Sequence, residues 1–430
     1  MTLSEELLWR GFSAQTTLET PALLDSRENK KFYWGADPSA DSLTIGNLAA
    51  LMMCACFVRH GYEPFLLVGG ATGQIGDPKE NAERELKPLS EVEHNKKCIK
   101  SQVERILNVK NATFLDNFDW FKNINFLDFL REVGKAFSMT QLLDRQFVQN
   151  RIGAGGSGIS YAEFSYTLIQ GYDFLHLFRK YGVALQLCGA DQYGNCASGI
   201  HLIKRLENAT ADVWSTPLVI DPVSGKKFGK SEGNAVWLAS EPPKTPDGSL
   251  SKNFTSVFDF YQFWLNQPDV AVESLLKIYT LVEKPELDDL LARHASAPEA
   301  RLAQRFLAKN ATAVVHGASA ADSVEAMTEK LFSKSAELEL SDLKSFSTLL
   351  PTFLLGSAPS SEEKTLLNVL VSTGLCSSKS EARKALKSGA LSLKPAGVSS
   401  FEKLFPVDET RPLSEPTLLK KGKNKFAIIL

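Results

Sequence analysis

Apolar positions in the first half of the chain fall into short continuous runs separated by longer stretches with helical spacing. Lys31 to Gly35, with Phe32, Tyr33 and Trp34, reads as a short strand. Gly46 to His60 reads as a helix that Gly61 stops. Phe65 to Val68 is apolar throughout, as expected of a strand covered on both faces. Further strands are expected at Ala112 to Leu115, Val183 to Leu187 and Pro217 to Ile220, with helices at Phe126 to Leu143, Tyr161 to Tyr181 and Asp191 to Leu206. Such alternation predicts a parallel sheet with helices on both faces.

The pattern then changes. Glu241 to Asn253 is rich in Pro, Gly and Ser and predicts a loop. Ser256 to about Gly317 is helical, Ala318 to Ser360 is mixed, and the stretch from Gly356 to Ser361 predicts a linker before a last unit from Glu362 to Leu430. That last unit is electrically distinct. It holds about 12 Lys plus Arg against about 7 Asp plus Glu, roughly +5, which leaves roughly −7 of the total −2 on the rest. A small basic unit on an acidic chain suits a nucleic-acid contact or a solvated lysine-rich surface equally well.

Composition narrows the class little further. No stretch approaches the ~20 consecutive apolar residues of a membrane span. Met1 to Arg10 carries Glu5 and Glu6 and has neither an apolar nor an Arg-rich leader, so a cytoplasmic protein is expected. Six scattered cysteines form no C-x-x-C pair, and the six histidines show no ligand spacing, so no structural metal is expected.

Five constellations carry candidate chemistry. Asp37 to Asn47 (DPSADSLTIGN) follows a strand and opens a helix, where unpaired backbone N–H groups favour phosphate; Asp and Ser also cap purely structural helices. Gly69 to Pro78 (GGATGQIGDP) places four glycines at a strand's carboxyl end, the usual ligand side of an open α/β sheet. There Asp77 suits an ammonium group or a turn. Tyr166, Gln170 and Asp173 lie at i, i+4 and i+7 on one face of an otherwise apolar helix, so a polar ligand or an internal network must satisfy them. Gln186 to Asn195 (QLCGADQYGN) again closes a strand and starts a helix. In Gly225 to Ser231 (GKKFGKS), Lys227 and Lys230 flank Gly229 and suit a polyphosphate or a basic hairpin tip.

Taken together these motifs resemble the bacterial-type tyrosyl-tRNA synthetases, which are class I enzymes. Tyr33 to Leu48 resembles their HIGH region and Lys227-Phe228-Gly229-Lys230-Ser231 their KMSKS loop. The Gly69–Pro78 loop, Glu163 to Tyr166, Gln170 to Phe174, Gly189 to Gln192 and Phe260 to Trp264 match in order and spacing. The segment Ser378 to Leu386, with its S-x-x-E capping pattern, then Gly389 and a strand, is similar to an S4-like RNA-binding domain. The resemblance implies an α/β fold with a Rossmann-like parallel-sheet catalytic domain (1–240). A helical domain (241–335) would follow, preceded by an inserted loop (241–253), then a linker (336–361) and a small α+β S4-like domain (362–430).

It also implies residue roles. Tyr33 and Asp173 would meet the phenol hydroxyl of tyrosine; Asp77, Tyr166 and Gln170 its ammonium group, with Gln186 in the same pocket. Asp37, Gly46, Asn47, Gly189, Asp191 and Gln192 would face adenosine and ribose. Ser39, Thr44, Lys227, Lys230 and Ser231 would act on the phosphates. ATP with Mg²⁺, tyrosine and tRNA(Tyr) are the implied substrates and partners, and the resemblance implies a homodimer. Arg383, Lys384, Lys387, Lys421 and Lys423 would grip tRNA phosphates. The chain departs from the family at Thr44 (usually His), at Trp34 (usually small), at Ala190 (commonly Ser) and in a loop after Pro78 about one residue short, where Arg84 would contact phosphate. A tryptophan-specific relative and a noncatalytic RNA-binding protein on the same scaffold are the competing readings.

Overall fold

A computed structural model describes residues 1–78, 85–109, 112–143, 146–153, 155–231, 234–333, 337–357, 365–404 and 413–430; at 141, 146, 147, 230, 231, 234 and 357 it describes the backbone alone. Two compact units emerge: residues 1–255 with 264–315, and residues 256–263 with 316–430.

The first unit is built on five parallel strands, β1 (Lys31–Ala36), β2 (Glu63–Val68), β3 (Thr113–Leu115), β4 (Leu185–Gly189) and β5 (Asp212–Thr216), in the order β3-β2-β1-β4-β5. β1 pairs with β2 along its whole length, whereas it meets β4 in a single register pair, Tyr33 opposite Gln186. Chain order therefore reverses between β1 and β4, and a crevice forms at the carboxyl ends of strands around such a reversal. Phe65, Leu66, Leu67 and Val68 of β2 are all buried, as a strand covered on both faces requires.

The helix after β1, Ile45–Arg59, buries most of its residues and ends where Gly61 takes φ +84°. The helix Tyr161–Tyr181 runs as the periodicity predicts, from Ser160, whose side chain accepts from the Glu163 backbone N–H, to Gly182 at φ +68°. Near its start the buried Glu163 pairs with the equally buried Arg151 at 2.8 Å.

Three expected elements differ. The fifth strand lies at Asp212–Thr216, not at Pro217 to Ile220; Pro217 has no N–H for a ladder, and Ile220 makes only an isolated bridge to Lys227. The periodicity misses it because Asp212 and Ser215 interrupt the apolar run. Phe126 to Leu143 breaks into Phe126–Glu132, a 3₁₀ turn at Gly134–Ala136 and Met139–Leu143, with Phe137 extended between them. Asp191 lies in a 3₁₀ turn, Ala190–Gln192, and the α-helix itself runs Tyr193–Glu207.

Beyond the sheet, β6 (Lys230–Ser231) and β7 (Asn234–Ala235) form a short hairpin. The segment after it straps onto the start of the Ile45–Arg59 helix: Ile45 N–H donates to the Val236 carbonyl, Leu238 N–H to the Leu43 carbonyl, and Ala239 N–H to Ser42 Oγ. From the inserted loop, Asn253 Nδ2 donates to Asp41 Oδ1 at 2.7 Å.

In the second unit, β8 (Thr352–Phe353), β9 (Leu391–Pro395), β10 (Glu402–Lys403), β11 (Thr417–Lys421) and β12 (Lys425–Ile429) form one sheet in the order β10-β9-β11-β12-β8. Residues expected as linker thus supply a helix, Leu340–Phe346, and the edge strand β8, parallel to β12. The helix Lys379–Lys387 starts at Ser378, whose hydroxyl accepts from Glu381 N–H. The reciprocal bond of a capping box goes instead from Ser377 N–H to Glu381 Oε2 at 2.7 Å. Leu370, Leu386, Leu393, Leu419 and Ile429 meet in the core beneath.

Candidate active-site cleft

A cleft of about 980 Å³ opens at the carboxyl ends of the strands on both sides of the β1/β4 reversal. Tyr33, Asp77, Tyr166, Gln170, Asp173 and Gln186 line it, as do Asp37, Gly46, Asn47, Gly189, Asp191 and Gln192. Ser39, Thr44 and Lys227 line it as well. Residues as far apart in sequence as Tyr33 and Lys227 therefore share one space. The side chains of Lys230 and Ser231, and Arg84 entirely, lie outside the described residues.

At the deep end, Asp173 is 1% exposed. Its Oδ2 accepts from Asn117 Nδ2 and its Oδ1 from Trp120 Nε1, each at 3.0 Å. Burial pushes its carboxyl well above the ordinary carboxylate range, and those two N–H donors pull the other way. Tyr33, on β1, is 2% exposed; burial, and then the neighbouring Asp173 charge, raise its phenol well above the usual value. A methyl group at Gly35 would stand 3.0 Å from Tyr33 Oη, so that glycine leaves room for the phenol.

Asn117 and Trp120 were missed in sequence. Asn117 is wholly buried; its Oδ1 accepts from Ala71 N–H at 2.6 Å and its Nδ2 also reaches Thr72 Oγ1 at 3.1 Å. Trp120 stacks on His176, centroids 4.3 Å apart. Their one available signal was position: both follow β3 at the same sheet edge. Asp116, just before them, accepts from Gly70 N–H at 3.0 Å and pairs with Lys96 at 2.6 Å. A side chain at Gly70 would fall 2.3 Å from Asp116 Oδ1, so the glycine-rich loop lies against side chains from neighbouring strand ends.

In the middle of the cleft, two contacts cross the expected division of labour. Tyr166 Oη donates to Asp37 Oδ2 at 2.7 Å. Asp77 accepts from Gln192 Nε2 at 2.8 Å and from Asn195 Nδ2 at 3.2 Å. Residues expected on the amino-acid side and on the nucleotide side are thus hydrogen-bonded to one another at two places. Gln170 Oε1 and Gln186 Oε1 are buried acceptors without a partner among the described residues. Unpaired buried acceptors facing a cleft fit a ligand that brings donors, such as an ammonium group.

At the mouth, Lys227 Nζ stands 3.6 Å from Asp191 Oδ2, and both are about half exposed. Gly229 has φ +76°, and a Cβ there would lie 2.4 Å from the Ile45 side chain. The lysine loop is therefore packed directly on the helix that follows β1. Trp34 is 4% exposed and lines the cleft. Among the described residues no group of three His, Cys, Asp or Glu could hold a metal ion.

In the second unit Arg383, Lys384 and Lys387 are exposed on one short helix, and Lys423 is exposed in the β11–β12 turn. Lys421 differs: its Nζ donates to the Leu375 carbonyl at 2.9 Å and pairs with Glu381 at 2.5 Å, so its charge is engaged within the unit.

Comparison with known proteins agrees with this geometry. The family described as tRNA synthetases class I (W and Y) matches residues 25–333. The domain described as the tyrosine–tRNA ligase SYY-like C-terminal domain matches residues 349–429. The tyrosine–tRNA ligase of Streptococcus mutans is 38% identical over 438 residues, covering 100% of both chains. That of Streptococcus gordonii is 36% identical over 436 residues with the same coverage. A C-terminally truncated mitochondrial tyrosyl-tRNA synthetase of Coccidioides posadasii superposes with a TM-score of 0.64 at 28% identity, covering 76% of this chain and 91% of that one.

The Asp173 environment makes a signed prediction. A carboxyl whose folded pKa is raised contributes stability that is greatest below its unfolded pKa of about 3.9 and declines as pH rises through the folded value. Asp173→Asn removes that decline. The melting temperature of the variant minus that of the parent is expected to increase between about pH 4 and pH 7.5. A difference independent of pH would show that burial does not raise this group.

Proposed function

We propose a division of labour in this cleft on the premise that the chain belongs to the class I tRNA synthetases for tryptophan and tyrosine, and works as a tyrosine–tRNA ligase. The observation that carries the proposal is the meeting of Tyr33, Asp173, Gln170 and Gln186 with Asp37, Asn47 and Lys227 around one space.

Tyrosine enters with its phenol toward Tyr33 and Asp173 and its ammonium group among Asp77, Tyr166, Gln170 and Gln186. Phenylalanine would bring no hydroxyl to the buried Tyr33 phenol and Asp173 carboxylate, an effect for which tyrosine-specific synthetases are the usual worked example. ATP lies across the strand ends, with Asp37, Gly46, Asn47, Gly189, Asp191 and Gln192 toward adenosine and ribose. Ser39, Thr44, Lys227, Lys230 and Ser231 face the phosphates, with Asn47 hydrogen-bonded to Thr44 at the border between ribose and phosphates. Mg²⁺ enters with the triphosphate and supplies positive charge to its oxygens.

The tyrosine carboxylate is ionised near neutral pH and needs no base. One of its oxygens attacks the α-phosphorus in line; the bond to the bridging oxygen breaks, and pyrophosphate leaves with the electron pair. Catalysis is then a matter of positioning the reactants and meeting the charge that grows on the leaving group. In the second step a hydroxyl of the terminal ribose of tRNA attacks the tyrosyl carbonyl, AMP departs, and the hydroxyl proton is released.

Arg383, Lys384, Lys387 and Lys423 form the tRNA-phosphate surface of the second unit, while Lys421 holds the helix Lys379–Lys387 to the sheet through Glu381. The functional unit is a homodimer in the cytoplasm. Support for self-association comes from the exposed apolar side chains between residues 118 and 161, among them Phe126, Leu127, Met139 and Tyr161, each 58–66% exposed.

ATP–pyrophosphate exchange tests the central reading: tyrosine supports it, and Asp173→Ala abolishes it in a protein that still unfolds cooperatively. Exchange driven by tryptophan, or a fully active Asp173→Ala protein, overturns it. Replacing Arg383, Lys384 and Lys387 with alanine is expected to leave exchange intact, weaken tRNA binding, and lower the slope of log affinity against log salt by ~1 for each phosphate that is no longer neutralised. An unchanged slope removes that surface. Sedimentation at micromolar concentration should give twice the 47.3 kDa chain mass; a single-chain species ends the dimer assignment.

A further inference from the structure

Thr44 stands where the resembling family usually has histidine, and its hydrogen bonds define a different task. Thr44 is the residue before the helix Ile45–Arg59, with extended backbone at φ −110° and ψ 170°. Its backbone N–H donates to Asn47 Oδ1 at 3.0 Å, and its hydroxyl donates to the same oxygen at 3.0 Å. A backbone N–H is only ever a donor, so the Asn47 atom facing it must be the carbonyl oxygen. The amide NH₂ of Asn47 is thereby fixed on the opposite side. Thr44, Gly46 and Asn47 all line the cleft.

A threonine hydroxyl has one proton. In this arrangement Asn47 takes it, and the lone pairs that remain on Oγ1 accept. Phosphate oxygens also accept, so Thr44 has no donor left to offer them. Asn47 does: its Nδ2 carries two N–H groups beside the first turn of a helix, whose dipole favours an anion.

We infer that Thr44 is a positioning residue, which holds the Asn47 amide by its oxygen so that the NH₂ of Asn47, and not Thr44 itself, is the neutral donor to the triphosphate. This rests on the reading that the phosphates occupy this end of the cleft. Threonine and asparagine then act as one unit in place of an independent side-chain donor. Loss of either removes the same interaction, and their effects are non-additive.

The test is a double-mutant cycle in ATP–pyrophosphate exchange on the full-length chain, with thermal melts of every variant. Thr44→Val keeps the shape and lacks the hydroxyl; Asn47→Ala lacks the amide. Each is expected to lower kcat on the order of 10-fold, as loss of a hydrogen bond to a charged group does, with the double variant within about 2-fold of Asn47→Ala. Thr44→Ser restores the rate. Asn47→Asp keeps an acceptor toward Thr44, so it melts like the parent, yet it turns a carboxylate toward the phosphates and loses rate. Multiplied effects in the double variant, or a Thr44→Val protein of unchanged rate, overturn the inference. A loss of rate in Thr44→Val matched by a fallen melting temperature, with Asn47→Asp fully active, reduces the pair to a helix cap and overturns it too. If Asn47→Ala alone is fully active, the placement of the phosphates fails instead, which separates that failure from this one.

Discussion

Between β1 and β4 the chain order of the parallel sheet reverses, and the crossover connections on the two sides leave toward opposite faces. Tyr33 and Gln186 are register partners across that seam. Each has its neighbours supplied by a different connection: Asp37 and Asn47 after β1, the glycine loop after β2, Asn117 and Trp120 after β3, Asp191 and Gln192 after β4. A crevice bordered by so many strand ends collects polar groups. Those groups must then satisfy one another or a ligand.

Asp173 shows how this requirement is met. A carboxylate at 1% exposure is costly unless donors surround it. Asn117 and Trp120 provide them, and Asn117 is itself fixed by Ala71 and Thr72 of the glycine loop. The Tyr33–Asp173 end of the cleft is thus tied to the loop that carries Asp77. Farther out, Tyr166 with Asp37 and Asp77 with Gln192 join residues expected on the amino-acid side to residues expected on the nucleotide side.

The start of the helix Ile45–Arg59 is organised by backbone straps. Val236, Leu238 and Ala239 bond to the segment 42–45, and Gly229 lies against Ile45 at a distance that excludes any side chain. The two segments that resemble the signature motifs of class I synthetases are consequently one packed body. The inserted loop adds Asn253 on Asp41. Its length was legible in the sequence; its return to the segment before the helix Ile45–Arg59 was not.

Local patterns determined a good deal. Short, largely apolar stretches located four of the five parallel strands, most cleanly β2, where burial on both faces leaves no polar alternation. The i, i+4, i+7 spacing put Tyr166, Gln170 and Asp173 on one helical face, since that geometry is local. The fifth strand escaped because Asp212 and Ser215 break its apolar run, and its neighbours across β4 are remote in sequence. Asn117 and Trp120 escaped for a related reason: nothing near them in the chain says that a buried carboxylate 53 to 56 residues away needs their protons. The engagement of Lys421 by Glu381, and of the Thr44 hydroxyl by Asn47, were likewise decided only when the chain folded. Residue type fixes what a group is able to donate or accept; three-dimensional packing decides which partner uses it.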